Sequence, residues 1–404
     1  MVQPNLNTFF KSYLDEKSLF SNKSALQLSY TPDVVLHREK EVNLIADILA
    51  PLLKREKPSN LFVYGITGTG KTLTVKYVCL HLLGVAQENK TPLKIVYLNC
   101  KLKRTADTAY RLMAQLIREF NVDVPATGLP TDEVYNIFLN ILSKNPTQLL
   151  IVLDEIDQLI NKAGDEVIYN LTRINSELVG SVISIVGISN STVFLDNLDP
   201  RVKSSLSEEE LTFPPYNAVQ IQDILKQRAA IAFKPGALQS GVIEKCSAYA
   251  AREHGDARRA IELLRVAGEL AERKKREQVE IKDLDEAEDK MEKERVLDII
   301  KTLPKQSQAT LYCIITVFSG DSKTKISTGD IYEQYKLLCQ TLSLRPLTQR
   351  RISDILAELD MLGIVNANVI SKGRYGRTKE ISIDLPSSLV DKIRVLLKEE
   401  IESE

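Results

Sequence analysis

The stretch Leu61 to Thr72, LFVYGITGTGKT, constrains this chain more than any other. Leu61 to Tyr64 are apolar or aromatic and read as a buried strand, after which Gly65, Gly68 and Gly70 turn the chain into a helical pattern beginning at Lys71. The spacing is GxxxxGK[ST]. Glycines at these positions let the backbone curl and aim several N–H groups at one point, where an anion also meets the positive end of the following helix. Gly65, Ile66, Thr67, Gly68, Thr69 and Gly70 are therefore expected to cradle phosphate. Lys71 would reach the β and γ phosphates of a nucleotide, and the Thr72 hydroxyl would ligate Mg2+. A turn without chemistry can share the glycines, but the strand before and the helix after are the context that a phosphate loop needs.

A phosphate loop leaves open what is done with the nucleotide, and further segments answer that. Leu93 to Leu98 reads as a second strand, and QLLIVLDEID, Gln148 to Asp157, as a continuous apolar strand ending in acids. Apolar strands of this kind belong to a parallel sheet covered by helices on both faces, with ligands just past the strand ends. Asp154 is expected to hold Mg2+ and Glu155 to polarise the attacking water. Val182 to Ile188 reads as another strand, ending at Ser189 and Asn190. Asn190 there is either a γ-phosphate sensor or a plain turn residue. Arg201, in NLDPRVKSSL, is either a charge-stabilising finger for a neighbouring subunit's phosphate or a solvated loop residue. Between Lys101 and Thr147 lie two amphipathic helical patterns, one with Leu112, Met113, Leu116 and Ile117 on a face, the other with Val134, Ile137, Phe138 and Ile141. A minimal nucleotide-binding unit does not need this hairpin.

Past Tyr216 the pattern is helical: Ala218 to Phe233, Leu238 to His254 and Ala257 to Arg276. Gly255 and Asp256 are expected to stop one helix and cap the next, placing Arg258 in a first turn facing the nucleotide, with Arg259 pointing elsewhere. A long charged helix from Ile281 is expected to end before Pro304. The last hundred residues read as three short helices and two strands, Gly363 to Ile370 and Glu380 to Ile383, which make a winged helix-turn-helix. Its third helix opens with Thr348, Gln349, Arg350 and Arg351, residue types suited to phosphate and base-edge contacts. The turn between the strands carries Lys372, Arg374, Arg377 and Lys379 with no acid, beside Gly373, Tyr375 and Gly376. A net charge of only −1 means that any nucleic-acid contact must come from such a local patch.

At 404 residues the chain should hold two or three domains. We expect boundaries at 1–214, 215–290 and 291–404, with a short helix near Phe9 to Leu14. Five scattered cysteines with no CxxC pair argue against a disulfide framework or a zinc site. Clean apolar runs such as Leu149 to Leu153 fall far short of the ~18 residues of a membrane span. The start MVQPNLNTFF lacks a basic-then-apolar leader, so a cytoplasmic, nucleoid-associated protein without a membrane partner is expected.

GITGTGKT, LDEID, the strand ending SN, DPRVKSSL, GDARRA, and ELDMLGIV followed by GRYGRTKE together resemble the archaeal origin-recognition initiators, AAA+ ATPases related to the eukaryotic origin recognition complex. The resemblance runs from about Leu36 to the C-terminus. It implies an α/β AAA+ P-loop sheet with a helical lid domain and a C-terminal winged helix. It also implies a slow, switch-like ATPase that uses ATP or ADP with Mg2+, binds double-stranded origin DNA and helps recruit or load the replicative helicase, in company with other initiator copies or paralogues. On the matching positions, Asp154 and Glu155 are the Walker B pair, Asn190 is sensor 1, Arg258 is sensor 2 and Arg201 is the arginine finger. The hairpin matches the initiator-specific insertion, with DNA contact expected around Thr127 and Gly128, and the adenine is expected between Tyr30 and Val35. Two rivals are a motor or clamp-loading AAA+ enzyme and an ATP-gated winged-helix transcription regulator.

Overall fold

The computed structural model describes residues 18–27, 29–101, 108–125, 128–178, 180–191, 199–206, 208–253, 255–318, 326–342, 344–371, 377–383 and 385–402. The helix expected near Phe9 to Leu14 lies outside them. The chain divides into two compact units, residues 1–284 and 285–404.

The first unit is built on a five-stranded parallel sheet of β1 (Asn60–Tyr64), β2 (Leu93–Asn99), β3 (Gln148–Asp154), β4 (Val182–Ser189) and β5 (Glu208–Thr212), in the order β2-β3-β4-β1-β5. Alternation along β1 explains why both faces are covered. Phe62 and Tyr64 enter one core, shared with Leu112, Phe138 and Ile151, whereas Leu61 and Val63 enter the other, shared with Ile45, Val75 and Val152. The second core packs α1 (Glu39–Leu49) and α2 (Lys71–Glu88). The first takes the hairpin of α3 (Ala109–Arg118) and α4 (Thr131–Lys144), then α5 (Ile156–Ala163) and α6 (Glu166–Arg173). Phe120 meets Phe138 edge-on at 6.3 Å within it. The short helix α7 (Pro200–Leu206) precedes β5.

The lid helices α8 (Ala218–Ala232), α9 (Val242–Arg252) and α10 (Ala257–Arg273) complete this unit. Asn217 and Gln220 form a reciprocal cap on α8. The expected helix from Leu238 begins only at Val242, because Gly241 takes the left-handed region (φ 92°) directly before it. The expected end at Arg276 retreats to Arg273, since Lys275 is left-handed as well (φ 55°). Helix α11 (Ile281–Thr302) carries the boundary between the units in its first turn.

In the second unit α12 (Lys305–Val317), α13 (Thr328–Thr341) and α14 (Gln349–Met361) surround a core of Leu311, Ile314, Ile331, Tyr335, Ile355 and Leu359. They are joined by an antiparallel sheet, β6 (Ile326–Ser327), β7 (Asn366–Ser371) and β8 (Arg377–Ser382), in the order β6-β8-β7. The expected strand from Gly363 starts instead at Asn366. Gly363 is left-handed (φ 68°) and its N–H closes the end of α14 on the Asp360 carbonyl. A last helix, α15 (Ser387–Glu402), which the sequence reading did not anticipate, seats Leu389, Ile393 and Leu397 in the same core.

Candidate active site

Four elements end in one cleft, at the C-terminal edge of the parallel sheet. The loop from β1 to α2 curls through Gly65, Gly68 and Gly70, all at positive φ. At Gly68 the need for glycine is steric too, for a Cβ would stand 1.8 Å from Asp256 Oδ1 of the lid. The Ala257 N–H meets the Gly68 carbonyl at 3.3 Å, so the start of α10 rests on the loop itself. Lys71 is buried and folds back, its Nζ donating to the carbonyls of Gly65 (2.7 Å) and Ile66 (2.8 Å) and to Asn190 Oδ1 (2.9 Å). Burial, and then the nearby Arg258 charge, lower the Lys71 ammonium to about 8.

Asp154, the last residue of β3, is buried beside Thr72. The Thr72 hydroxyl lies 3.1 Å from Asp154 Oδ2 and 3.3 Å from Oδ1. Oδ1 also accepts the Glu155 N–H at 3.1 Å, and Oδ2 accepts the Tyr97 hydroxyl. The strand expected to reach Asp157 ends here, because Glu155 is left-handed (φ 55°) and swings the chain into α5. For a residue with a Cβ this conformation costs roughly 1–2 kcal/mol. Glu155 Oε2 is buried without a hydrogen-bond partner among the described residues. Arg258, Asn190 and Asn99 complete the cleft wall. A hydroxyl and a carboxylate side by side are the hard oxygen donors that suit Mg2+.

Beyond the loop, sharing Gly68, Gly70, Thr72 and Arg258, a second cavity is lined by Tyr30, Val35, Leu73, Tyr216 and Ile261. Tyr30 is held from behind. Buried Arg228 of α8 donates to its carbonyl at 3.3 Å and to that of Ala25 at 3.2 Å, with its guanidinium 4.5 Å from the Tyr30 ring.

Some site residues escape a reading of the sequence. Arg38, only 2% exposed, donates to the Thr69 carbonyl (3.0 Å) and the Pro214 carbonyl (2.6 Å), and stacks 3.9 Å from the Tyr216 ring. It thus ties the phosphate loop to the segment leading into the lid. Tyr97 stands out in sequence only as a strand residue. No local signal marks Tyr97; Arg38 lies in LHREKE, a segment that resembles the family's entry to the nucleotide pocket, but its bonds to Thr69 and Pro214 join it to residues distant in sequence.

Arg201 and Arg259 are not among the residues that line the cleft. Arg201 is exposed at the start of α7 and grips Asp199 through two bonds of 3.1 Å. Arg259 points away from the cleft to Glu253 at 2.5 Å. Asp256 caps α10, accepting from Arg258 N–H at 2.8 Å. In the second unit Thr348 caps α14 through the Arg351 N–H, leaving Gln349, Arg350 and Arg351 exposed on its first turn. Lys379 is half-buried and donates to the Ser353 carbonyl of α14 at 3.3 Å. Gly128 (φ 113°) stands in open space in the hairpin loop. Thr127, Lys372, Gly373, Arg374 and Tyr375 lie outside the described residues. Arg377 opens β8 opposite Ser371, and only its backbone is described.

Three family models match the chain: an AAA domain over residues 54–188, a Cdc6 AAA+ ATPase-type lid domain over 222–289, and a CDC6 C-terminal winged helix domain over 298–393. The chain is also 50% identical over 387 residues to an ORC1-type DNA replication protein of Pyrococcus abyssi, covering 95% of this chain and 91% of that one. It belongs to the archaeal ORC1-type/Cdc6 family. An ORC1-type DNA replication protein 1 of Methanosarcina acetivorans is 49% identical over 397 residues, 98% of this chain and 94% of its own. Among solved structures, the Aeropyrum pernix ORC1 protein in complex with DNA is 44% identical, with a TM-score of 0.79 over 96% of this chain and 99% of that one. On this ORC1-type chain the AAA match contains the phosphate loop, Asp154 and Glu155. The lid match contains Arg258, and the winged-helix match contains Gln349 to Arg351.

Proposed function

We propose that this ORC1-type protein is a replication initiator that binds ATP or ADP with Mg2+ in the cleft described above. In this reading it holds double-stranded origin DNA through its winged helix, and slow hydrolysis acts as a switch. One observation carries the nucleotide reading: Lys71 and Thr72, at the start of one helix, are hydrogen-bonded in a single cleft to Asn190 and Asp154, at the ends of two strands. The Lys71 ammonium now satisfies loop carbonyls and would exchange them for phosphate oxygens. Thr72 and Asp154 would hold Mg2+, which neutralises phosphate charge when bound. The unpartnered Glu155 carboxylate oxygen is suited to accept a proton from the attacking water. Asn190 would sense the γ phosphate and Arg258 would draw the lid onto it. Arg201, exposed and outside the cleft, is suited to reach a neighbouring copy's nucleotide. The Tyr30 to Val35 wall would take the adenine.

The DNA reading is supported by the Aeropyrum pernix relative, solved with DNA, and by the exposed Gln349, Arg350 and Arg351. Thr127, Gly128 and the wing residues Lys372 to Arg377 would add contacts, with the chain divided functionally at 1–214, 215–290 and 291–404. Helicase recruitment and pairing with paralogous initiators complete the proposal. Two measurements test it. ADP and ATP titrations should show binding to the wild type and its loss in Lys71→Ala at unchanged helical content; equal affinities would remove the nucleotide site. Genome-wide footprints should concentrate at replication start sites, and footprints at promoters alone would favour a transcription regulator.

A further inference from the structure

The proposed function leaves Tyr97 without a role, although its hydroxyl touches the group that would hold the metal. Parallel pairing sets Asn99 opposite Asp154 and Tyr97 opposite Val152, so all four side chains belong to one face of the sheet. From there the half-buried Tyr97 hydroxyl donates to Asp154 Oδ2, and the Lys76 ammonium lies 4.2 Å over its ring.

An aspartate carboxylate turns easily about its last torsion, which has no sharp staggered wells. Presenting the same oxygen edge to a metal therefore needs donors that hold it from elsewhere. Of the three donors to the Asp154 carboxylate among the described residues, the Thr72 hydroxyl would itself be claimed by Mg2+. That leaves the Glu155 N–H on Oδ1 and the Tyr97 hydroxyl on Oδ2. The backbone donor cannot be removed by substitution, but the phenol can. We propose that Tyr97 is a positioning residue that fixes the rotation of the Asp154 carboxylate for Mg2+ capture, so that the metal-dependent part of nucleotide binding rests on its hydroxyl. This inference rests on the reading of the cleft as a Mg2+–nucleotide site.

The test is a titration of a fluorescent ADP analogue into full-length protein, across a series of free Mg2+ concentrations and in EDTA. It compares wild type, Tyr97→Phe, Tyr97→Leu and Lys71→Ala. Tyr97→Phe should raise the half-saturating Mg2+ concentration by about tenfold while leaving affinity in EDTA and the thermal midpoint near wild type. Tyr97→Leu should show the same shift. An unmoved Mg2+ midpoint in Tyr97→Phe overturns the proposal. So does an equal loss with and without metal, or a shift in Tyr97→Leu alone, because each assigns Tyr97 to packing. Wild-type binding that ignores Mg2+, or Lys71→Ala binding as well as wild type, would strike the underlying nucleotide reading first, and the positioning role with it. Silence of the Tyr97 variants beside a Mg2+-dependent wild type strikes the positioning role only.

Discussion

Lys71 carries its charge where water reaches it poorly, and that has a measurable consequence. Burial and the Arg258 guanidinium lower it from 10.5 to about 8 in the folded chain. Between those values the unfolded chain binds more protons than the folded one, so stability rises with pH across that window, and the cost of charging Lys71 is felt fully below about pH 8. Chemical denaturation between pH 7 and 10 should show this gain in wild type and not in Lys71→Met. Nucleotide affinity should run the other way. Phosphate needs the charged ammonium, so above about pH 8 binding takes up a proton, and calorimetry in buffers of different ionisation heat would detect it. A proton count of zero at pH 9 would contradict the assignment. Lys71 is legible in the sequence because its spacing from three glycines is a local pattern. Tyr97 is not, because a tyrosine in an apolar strand looks the same whether or not a carboxylate on the next strand accepts its hydrogen bond.

Segments whose pattern is local are also readable from sequence, and those that depend on a neighbour are not. β1 and β4 follow from apolar runs. β5, with the sequence Glu-Glu-Glu-Leu-Thr, has no such run, and only its pairing along β1 at the sheet edge makes it a strand. The overshoot of β3 has a backbone cause, the left-handed Glu155, which composition does not reveal. The lid is recognisable as helical, but its attachment to the phosphate loop is not, because that runs through Arg38, Gly68 and Asp256. Arg38 makes this joint testable. Removing its side chain strands the buried carbonyl of Thr69, breaks the part-buried bond to the Pro214 carbonyl and takes away the stack on Tyr216. Arg38→Ala should cost about 3 kcal/mol, read as a lowered urea midpoint of the first unit. Arg38→Lys should recover little of it, since the two carbonyls are met by two separate guanidinium nitrogens, Nε and Nη2, and an ammonium has no planar face to stack on Tyr216. Full recovery by lysine would mean that charge alone matters there.

A protein with a net charge of −1 has no general attraction for a polyanion, so DNA affinity must be concentrated in small areas. The expected basic wing loses one member in the structure, since Lys379 is turned back to bond the Ser353 carbonyl of α14, where it ties the wing strand to that helix. Arg350 and Arg351 are exposed on the first turn of α14, Arg351 having, among the described residues, a loose partner in Asp354 at 3.7 Å. An exposed pair of that length contributes little, so Arg351 gives it up readily to a phosphate. Replacing both arginines with alanine should therefore weaken duplex binding and flatten the dependence of log affinity on log salt. The slope should fall by about 0.9 for each phosphate that is no longer neutralised, hence by up to about 2. ADP affinity should stay as it was. If the weakening is uniform across duplexes, the arginines hold the backbone and the sequence is read elsewhere. If it is confined to one sequence at an unchanged slope, they read base edges. A double variant with unaltered affinity and slope would remove α14 from the DNA interface and leave the winged helix without its expected reading element.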